Sequence, residues 1–157
     1  EKRYYELLNK EKIVLKIFEK FPEEIELTKE LTNQDHNKSY YDKIEKLNKE
    51  EKAFIDKLDL DELENIKFWI RCRERQDDSF SLQGWENRKF YPDFIALTNK
   101  GNILAFEWKG EDRVSNDDTK YKEKVSKIWE KLGKGKLHFF LVHNGKVEEV
   151  LTKIKEL

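Results

Sequence analysis

The sequence of 157 residues contains no methionine and a single cysteine, Cys72. One cysteine excludes an internal disulfide, and no Cys/His cluster has the spacing of a zinc site. No apolar run approaches the roughly 18–20 residues of a membrane span, so we expect a soluble, cytoplasmic protein with no membrane partner. Because translation starts at methionine, its absence predicts that the chain is part of a longer protein.

The sequence also lacks an excess of charge of either sign. It has 32 Lys and Arg against 33 Asp and Glu, a formal net charge of -1. Proteins that bind nucleic acid on their own are usually basic, and the net charge gives no such signature. If the rest of a longer chain brought this fragment to a nucleic acid, the same value would predict weak binding by the isolated fragment.

Aromatic residues are plentiful, and they argue against disorder. Charged residues make up 41% of the sequence, against roughly 25% in an average soluble domain. Ten Phe, four Trp and six Tyr provide large apolar side chains that a disordered chain would lack. At this length we expect one domain with a small extension, and a core that buries about 68–70% of the unfolded surface.

The hydrophobic pattern divides the chain into two parts. Residues 1–50 are interpreted as a helical extension or linker of a larger chain, with one helix over SYYDKIEKLN at 39–48, and residues 51–157 as the main domain. A second helical stretch is expected over 50–75, with a break at Asp59 or Asp61. Then follow strands at 80–83, 90–97 and 102–109, a helix at 119–132, a strand at 137–142 and a C-terminal helix.

This order predicts an α/β (α+β) fold. Its central mixed sheet would have about four strands and be flanked by helices. A parallel pair is expected where the crossover helix returns the chain to the sheet.

The loop Asn99-Lys100-Gly101 predicts the register of a hairpin. In a three-residue hairpin loop the third residue adopts the left-handed conformation, in which glycine costs least, and Gly101 has that place. Paired residue numbers then sum to 200, so Asp93 lies opposite Glu107. A two-residue loop would make the sum 201, and Asp93 would then pair with Trp108.

In the register of 200, two carboxylates and an ammonium group share one sheet face. Lys109 projects from the same face as Glu107, and Phe94, Phe106 and Trp108 point to the other. Paired carboxylates favour a hard cation such as Mg²⁺, with Mn²⁺ able to substitute, and such an ion activates water for attack on a phosphodiester. The alternative is that Glu107 and Lys109 form an exposed ion pair of little consequence.

The string FYPDFIALTNKGNILAFEWKG resembles the active-site hairpin of the PD-(D/E)XK nuclease superfamily. Residues 51–132, roughly half the chain, are most similar to the C-terminal endonuclease domain of type III restriction enzyme Res subunits and related helicase-nuclease proteins. Cys72 stands where those proteins tend to carry Asn. The matching motifs are Trp69 with Arg71, Phe80, Tyr91 to Phe94, Glu107 to Gly110, and Lys120 and Lys124 with Trp129.

The resemblance implies a restriction-endonuclease-like core and a metal-dependent DNA endonuclease. Asp93 and Glu107 would bind the metal, and Lys109 would be the catalytic lysine. A helicase or translocase region in cis would handle ATP, since this fragment has no GxxxxGK[ST] phosphate loop and is not expected to bind ATP. A separate modification methyltransferase subunit is an implied partner.

Other residues have weaker support. The superfamily often uses an acidic residue on the helix before the sheet as an additional metal or water ligand, and Glu64 and Glu62 are the available choices. The alternative for either residue is a solvated helix position with no role in the site. Lys120 and Lys124, one turn apart, would contact a phosphate or form a solvated stripe. Arg71 would contact the phosphate backbone of DNA. Alternatively, its positive charge would only interact favourably with the dipole at the end of a helix. Trp85 would stack on an unpaired base or cap the core.

Two rival hypotheses remain open. One is a catalytically inactive module that keeps the nuclease fold and binds nucleic acid or another protein. The other is a structural protein in which the hairpin is a charged edge, and it predicts that Asp93, Glu107 and Lys109 do not converge in space.

Overall fold

The computed structural model describes residues 36–60, 62–73, 80–86, 89–110 and 117–157, residue 2, and the backbone of residues 31–33. In chain order the elements are β1 (Leu31–Asn33), β2 (Lys43–Glu45), α1 (Lys49–Leu58), β3 (Ile66–Arg71), β4 (Phe94–Thr98), β5 (Ile103–Trp108), α2 (Asp117–Leu132), β6 (Leu137–Val142), a short 3₁₀ helix (Asn144–Lys146) and α3 (Val147–Lys155).

The main sheet has four strands in the order β3-β4-β5-β6. β3, β4 and β5 run antiparallel, and β6 pairs with β5 in parallel. Antiparallel neighbours need only short loops, whereas the parallel pair needs a crossover, which α2 provides. The predicted α+β fold, a mixed four-stranded sheet flanked by helices, is confirmed. β1 and β2 form a separate two-stranded sheet.

The hairpin between β4 and β5 has the predicted register. Its ladder runs from Leu97↔Ile103 to Phe94↔Phe106, and every pair sums to 200. Gly101 has φ +83°, in the left-handed region. The ladder ends one position before Asp93 and Glu107, because the Asp93 amide turns to donate to the Phe106 carbonyl at 2.8 Å. The direct cross-strand pair expected for these carboxylates is therefore not part of the ladder.

Alternation along the strands divides the core into two clusters. On one face, Phe94 and Phe106 pack with Phe54 of α1 and Ile154 of α3. On the other face, Ile95, Ala105 and Leu137 pack against Tyr121, Val125 and Trp129 of α2. Glu107 alternates with Phe106, so its side chain lies on the α2 face.

The helix predicted over 50–75 is wrong for the described residues beyond Leu58, which are 59–60 and 62–73. α1 ends there and Asp59 is its C-terminal cap, one of the two breaks considered. The segment IKFWIR instead forms β3, paired with β4. Its aromatic and β-branched residues suit a buried strand, and the Asp59 carboxylate accepts a hydrogen bond from Trp69 Nε1 at 2.9 Å, which fixes the strand against the end of α1.

The strand expected at 80–83 is also absent from the described residues. That segment makes a single bridge, Leu82↔Phe90. The strand that pairs with β4 in the main sheet is instead β3. Likewise, β4 begins at Phe94 and not at residue 90. A β-strand needs several consecutive backbone pairs, and the segment at 80–83 has only this one.

The helix predicted over 39–48 is wrong as well. β2 occupies residues 43–45, where Lys43 is exposed and Ile44 and Glu45 are buried. Tyr41 and Ile44 join the first core cluster, and Ser39 bridges to Trp69 beside β3. Packing against the sheet has overridden the local helical pattern. The other helices predicted for residues 1–50 lie mostly outside the described residues.

None of the helices in the described ranges is long and apolar enough to cross a membrane.

Replacing Gly101 tests the hairpin turn. No atom lies within 4 Å of the position that a Cβ would take, so the cost of substitution comes from the backbone alone. We expect Gly101→Ala to lower the free energy of unfolding by about 1–2 kcal/mol, and Gly101→Asn by less, because asparagine tolerates the left-handed region. Urea denaturation measures both; equal costs for the two variants would contradict the assigned turn.

Candidate active site

Asp93 lies at the end of the hairpin, immediately before β4. Its carboxylate Oδ2 accepts a hydrogen bond from the backbone amide of Trp108 at 2.7 Å. Its amide donates to Phe106 across the same hairpin. Two contacts to β5 thus fix the carboxylate at the end of the sheet where Glu107 also lies.

Glu107 is the more buried of the two carboxylates, with 5% of its surface exposed. Its Oε1 lies 3.2 Å from Lys109 Nζ and accepts a hydrogen bond from Lys122 Nζ at 2.9 Å. Its Oε2 is buried and has no hydrogen-bond partner among the described residues. One oxygen is therefore shared by two ammonium groups, and the other is unsatisfied.

Lys109 follows β5 directly. Its amide donates to the Val142 carbonyl at 2.8 Å, which holds it beside the end of β6. Its Nζ reaches Glu107, as the alternation predicted, and lies 3.9 Å from Asp118 Oδ2. The charge of Asp93 acts on Glu107 as well. Glu107 and Lys109 thus meet, and Asp93 lies at the same end of the sheet.

The electrostatics of the two carboxylates are unfavourable. Burial raises the pKa of Glu107 to about 7, and the neighbouring charge of Asp93 adds to the effect, against the opposing pull of Lys122 and Lys109. Burial also raises the pKa of Asp93, although Arg71 and the Trp108 amide act in the opposite direction. Ionising both groups together is costly, so an added cation would be stabilised between them.

Lys122 is the site residue on α2 that the sequence reasoning missed. Besides Glu107, it lies 3.4 Å from Asp118 Oδ2 and 5.0 Å from the centre of the Phe90 ring. The signal was present in the spacing: Lys122 comes seven residues before Trp129, which places it on the inward stripe of the helix. The lysines chosen from the sequence, Lys120 and Lys124, are exposed.

Glu51 was missed too, and it joins the site through Arg71. Arg71 Nη1 lies 2.7 Å from Glu51 Oε2 and 3.6 Å from Asp93 Oδ1, and its guanidinium lies over the Phe94 ring. Arg71 is thus largely buried in the wall of the site. Glu51 stands three residues after Asn48, whose side chain caps α1; that spacing is typical of a capping box and hid any other role.

Glu64 and Glu62 are not brought to the site. Both are exposed, and the Glu64 carbonyl accepts a hydrogen bond from the Asn99 side chain at 2.9 Å, beside the hairpin loop. The five residues of β4 separate that loop from Asp93, a distance of roughly 16 Å. The acidic residue of α1 that lies near the site is Glu51, through its ion pair with Arg71.

Trp85 packs on the protein. It is half-buried, and its ring meets Tyr121 edge to face with centroids 4.9 Å apart. This contact with α2 matches the core-capping alternative.

The site offers two carboxylates to a metal. No group of three or more His, Cys, Asp or Glu side chains with metal-binding geometry occurs within the described ranges. The unsatisfied Glu107 Oε2 and the raised pKa values of Asp93 and Glu107, caused mainly by burial, nevertheless fit a hard cation held by these two carboxylates. Carboxylates with remaining positions left to water suit Mg²⁺.

Comparisons with family models, with curated proteins and with solved structures give no match to this chain.

Glu107→Gln tests the electrostatic strain of the site. A carboxylate whose pKa rises from 4.5 unfolded to about 7 folded supports folding below the lower value and loses that support as the pH rises through the higher one. In chelating buffer we expect Glu107→Gln to change stability little at about pH 5 and to stabilise the fold by up to about 3 kcal/mol at about pH 8. Chemical denaturation at both pH values measures this.

Glu64→Gln is the matched control, since Glu64 is exposed. Its stability at the two pH values is the reference against which the effect of Glu107→Gln is compared. An equal effect of Glu107→Gln at the two pH values would contradict the assigned strain.

Proposed function

We propose that this chain is a metal-dependent endonuclease domain that hydrolyses DNA phosphodiester bonds, of the PD-(D/E)XK type. The observation that supports it best is the convergence of Asp93, Glu107 and Lys109, with Glu107 Oε2 buried and unsatisfied. A purely structural ion pair would satisfy both oxygens of a buried carboxylate, since an unpaired buried acceptor costs stability.

Asp93 and Glu107 would hold the metal. Bound there, Mg²⁺ would polarise a phosphoryl oxygen and lower the pKa of a coordinated water. The Trp108 amide keeps Asp93 in place, and Lys122 keeps Glu107 in place. Fixed carboxylates lose little freedom when a cation binds, which favours binding.

Lys109 would act on the reacting groups. Its ammonium lies 3.2 Å from Glu107 Oε1, so a small movement would bring it to an attacking water or to the phosphate. There it would orient the water and stabilise the negative charge that develops during attack. Lys122 shares the same Glu107 oxygen, so Glu107 would remain neutralised while Lys109 contacts the substrate.

The wider context follows from the sequence resemblance. DNA is the proposed substrate because the hairpin resembles nucleases that act on it, and the chemistry alone would serve any phosphodiester. A helicase or translocase region in cis would bring the domain to DNA and use ATP, and a modification methyltransferase subunit would supply sequence recognition.

A second candidate function is an inactive module with the nuclease fold that binds nucleic acid or protein. The observation in its favour is that two lysines already neutralise Glu107, while no group of three or more His, Cys, Asp or Glu side chains that could hold a metal ion occurs among the described residues. Two ammonium groups reduce the electrostatic gain that a cation would bring.

Cleavage of DNA tests the leading proposal. We expect nicking or cutting of plasmid DNA in Mg²⁺ or Mn²⁺, and loss of at least about a hundredfold in rate for Asp93→Asn or Lys109→Met, since charge stabilisation of this kind contributes on that order. Glu64→Gln, remote from the site, should retain full activity. Undiminished cleavage in excess chelator would overturn the proposal.

Metal binding separates the two candidates without any need for cleavage. If Asp93 and Glu107 hold the ion, Mg²⁺ or Mn²⁺ should raise the thermal midpoint of the wild type, because a ligand that binds only the folded state stabilises it. The rise should vanish in Asp93→Asn and persist in Glu64→Gln. A wild type that does not respond to either ion would favour the inactive module.

A further inference from the structure

Asp118, in the first turn of α2, contacts both lysines that neutralise Glu107. Its Oδ2 lies 3.4 Å from Lys122 Nζ and 3.9 Å from Lys109 Nζ. The same two ammonium groups lie 2.9 Å and 3.2 Å from Glu107 Oε1. Two carboxylates and two ammonium groups therefore form one network, in which each lysine lies between Glu107 and Asp118.

The two carboxylates of this network differ in their contact with water. The side chain of Glu107 is 6% exposed, and that of Asp118 is 31% exposed. A buried charge without a partner is costly, whereas water stabilises a charge that it can reach. Asp118 can therefore gain or lose a lysine partner at a smaller cost than Glu107 can.

The position of Asp118 on α2 favours its pair with Lys122. The lysine follows by four residues, and an acidic residue one turn before a lysine is the favourable order of such a pair. Asp118 is one of two acidic residues in the first turn of α2, where the helix dipole stabilises negative charge. Asp118 and Lys122 thus form a pair that does not depend on Glu107.

The charges of both carboxylates act on Lys122. Burial would lower the pKa of this lysine, but the charge of Glu107, its hydrogen bond and the charge of Asp118 outweigh burial, and the pKa is raised. Lys122 is therefore positively charged near neutral pH. That charge has to be balanced when a cation is added to the site.

A cation on Glu107 would place three positive groups around one carboxylate. Both lysines already contact Oε1, and Oε2 is the oxygen without a hydrogen-bond partner among the described residues. Like charges at such distances repel one another. Asp118 lies within 4 Å of both ammonium groups, and a shift of roughly 1 Å or less would give either of them a charge-assisted hydrogen bond to it.

We propose that Asp118 is a positioning residue for the cation of the site: it takes over part of the charge of Lys122 and Lys109, so that Glu107 can hold the ion with both lysines still beside it. The inference rests on the proposed function, because the ion is inferred there. It also explains how an ion could bind to a carboxylate that two lysines already neutralise.

Asp118→Asn tests this role, with Asp117→Asn as the matched control. Asp117 precedes it in the same turn of α2 and is exposed, and helical geometry turns the two side chains about 100° apart. Both substitutions remove one negative charge from the same turn. Each protein is freed of metal with chelator and dialysed, and its thermal midpoint is followed as Mg²⁺ or Mn²⁺ is added, which gives the dissociation constant of the ion.

We expect Asp118→Asn to weaken binding of the ion by about 10–100-fold, the usual effect of removing a residue that orients the ligands of a metal. Asp117→Asn should leave the affinity nearly unchanged, and Asp118→Glu, which keeps the charge, should retain most of it. Wild-type affinity in Asp118→Asn, or an equal loss in the two Asn variants, would overturn the proposal.

A double variant separates the proposed contact from a general effect of charge. In a Lys122→Gln background one of the two lysines is gone, so Asp118→Asn should weaken binding of the ion clearly less there than in the wild type. Equal losses in the two backgrounds would show that Asp118 acts on the ion through its charge alone, and the positioning role would be wrong.

Circular dichroism establishes that the variants fold. If Asp118→Asn does not fold, Asp118→Ser takes its place, because serine is favoured at the start of a helix. It should show the same loss of affinity for the ion, and an affinity equal to that of the wild type would count against Asp118.

Ion binding and cleavage fail separately. Asp118-dependent ion binding by a chain that never cleaves DNA would support the positioning role and count against the nuclease. A chain that cleaves DNA and binds the ion equally well with and without the Asp118 carboxylate would leave the nuclease standing and overturn the positioning role. A wild type that binds neither ion would overturn both.

Discussion

The burial of the Glu107 carboxylate at the end of the sheet is the constraint on which the site depends. With 5% of its surface exposed, this group cannot rely on water, and its environment must supply positive charge. Lys109 and Lys122 converge on one of its oxygens, and Asp118 in turn contacts Lys122. The remaining oxygen has no partner within the described part of the chain, and the proposed metal chemistry depends on that atom.

Asp93 belongs to a second set of ion pairs, formed with Arg71 and Glu51. Arg71 connects this carboxylate to Glu51 of α1, so each carboxylate of the proposed pair has its own cation from a different element. The strands position the acids, and the surrounding helices and β3 supply the charges around them. Such an arrangement keeps the site assembled without metal, at the cost of competing with an incoming cation for the same oxygens.

The parts predicted well from the sequence are those set by local geometry. Loop length and the left-handed residue Gly101 determine the register of the hairpin, and alternation then assigns Glu107 and Lys109 to one face. The parts predicted wrongly lie where the pattern was ambiguous. IKFWIR and SYYDKIEKLN both have spacings that suit a helix, and pairing of Trp69 with Ala96 and of Ile44 with Thr32 made strands within them, because tertiary pairing outweighs a weak propensity.

The sequence by itself determined the hairpin, the sharing of one face by Glu107 and Lys109, and the α+β class, because turn chemistry and side-chain alternation act over a few residues. Only the tertiary structure decided which charges surround the carboxylates. Glu51, Arg71 and Lys122 reach the hairpin from three other elements, and Glu64 is held at its opposite end by Asn99. The packing of α1 and α2 on opposite faces of the sheet sets those distances, and no local spacing encodes them.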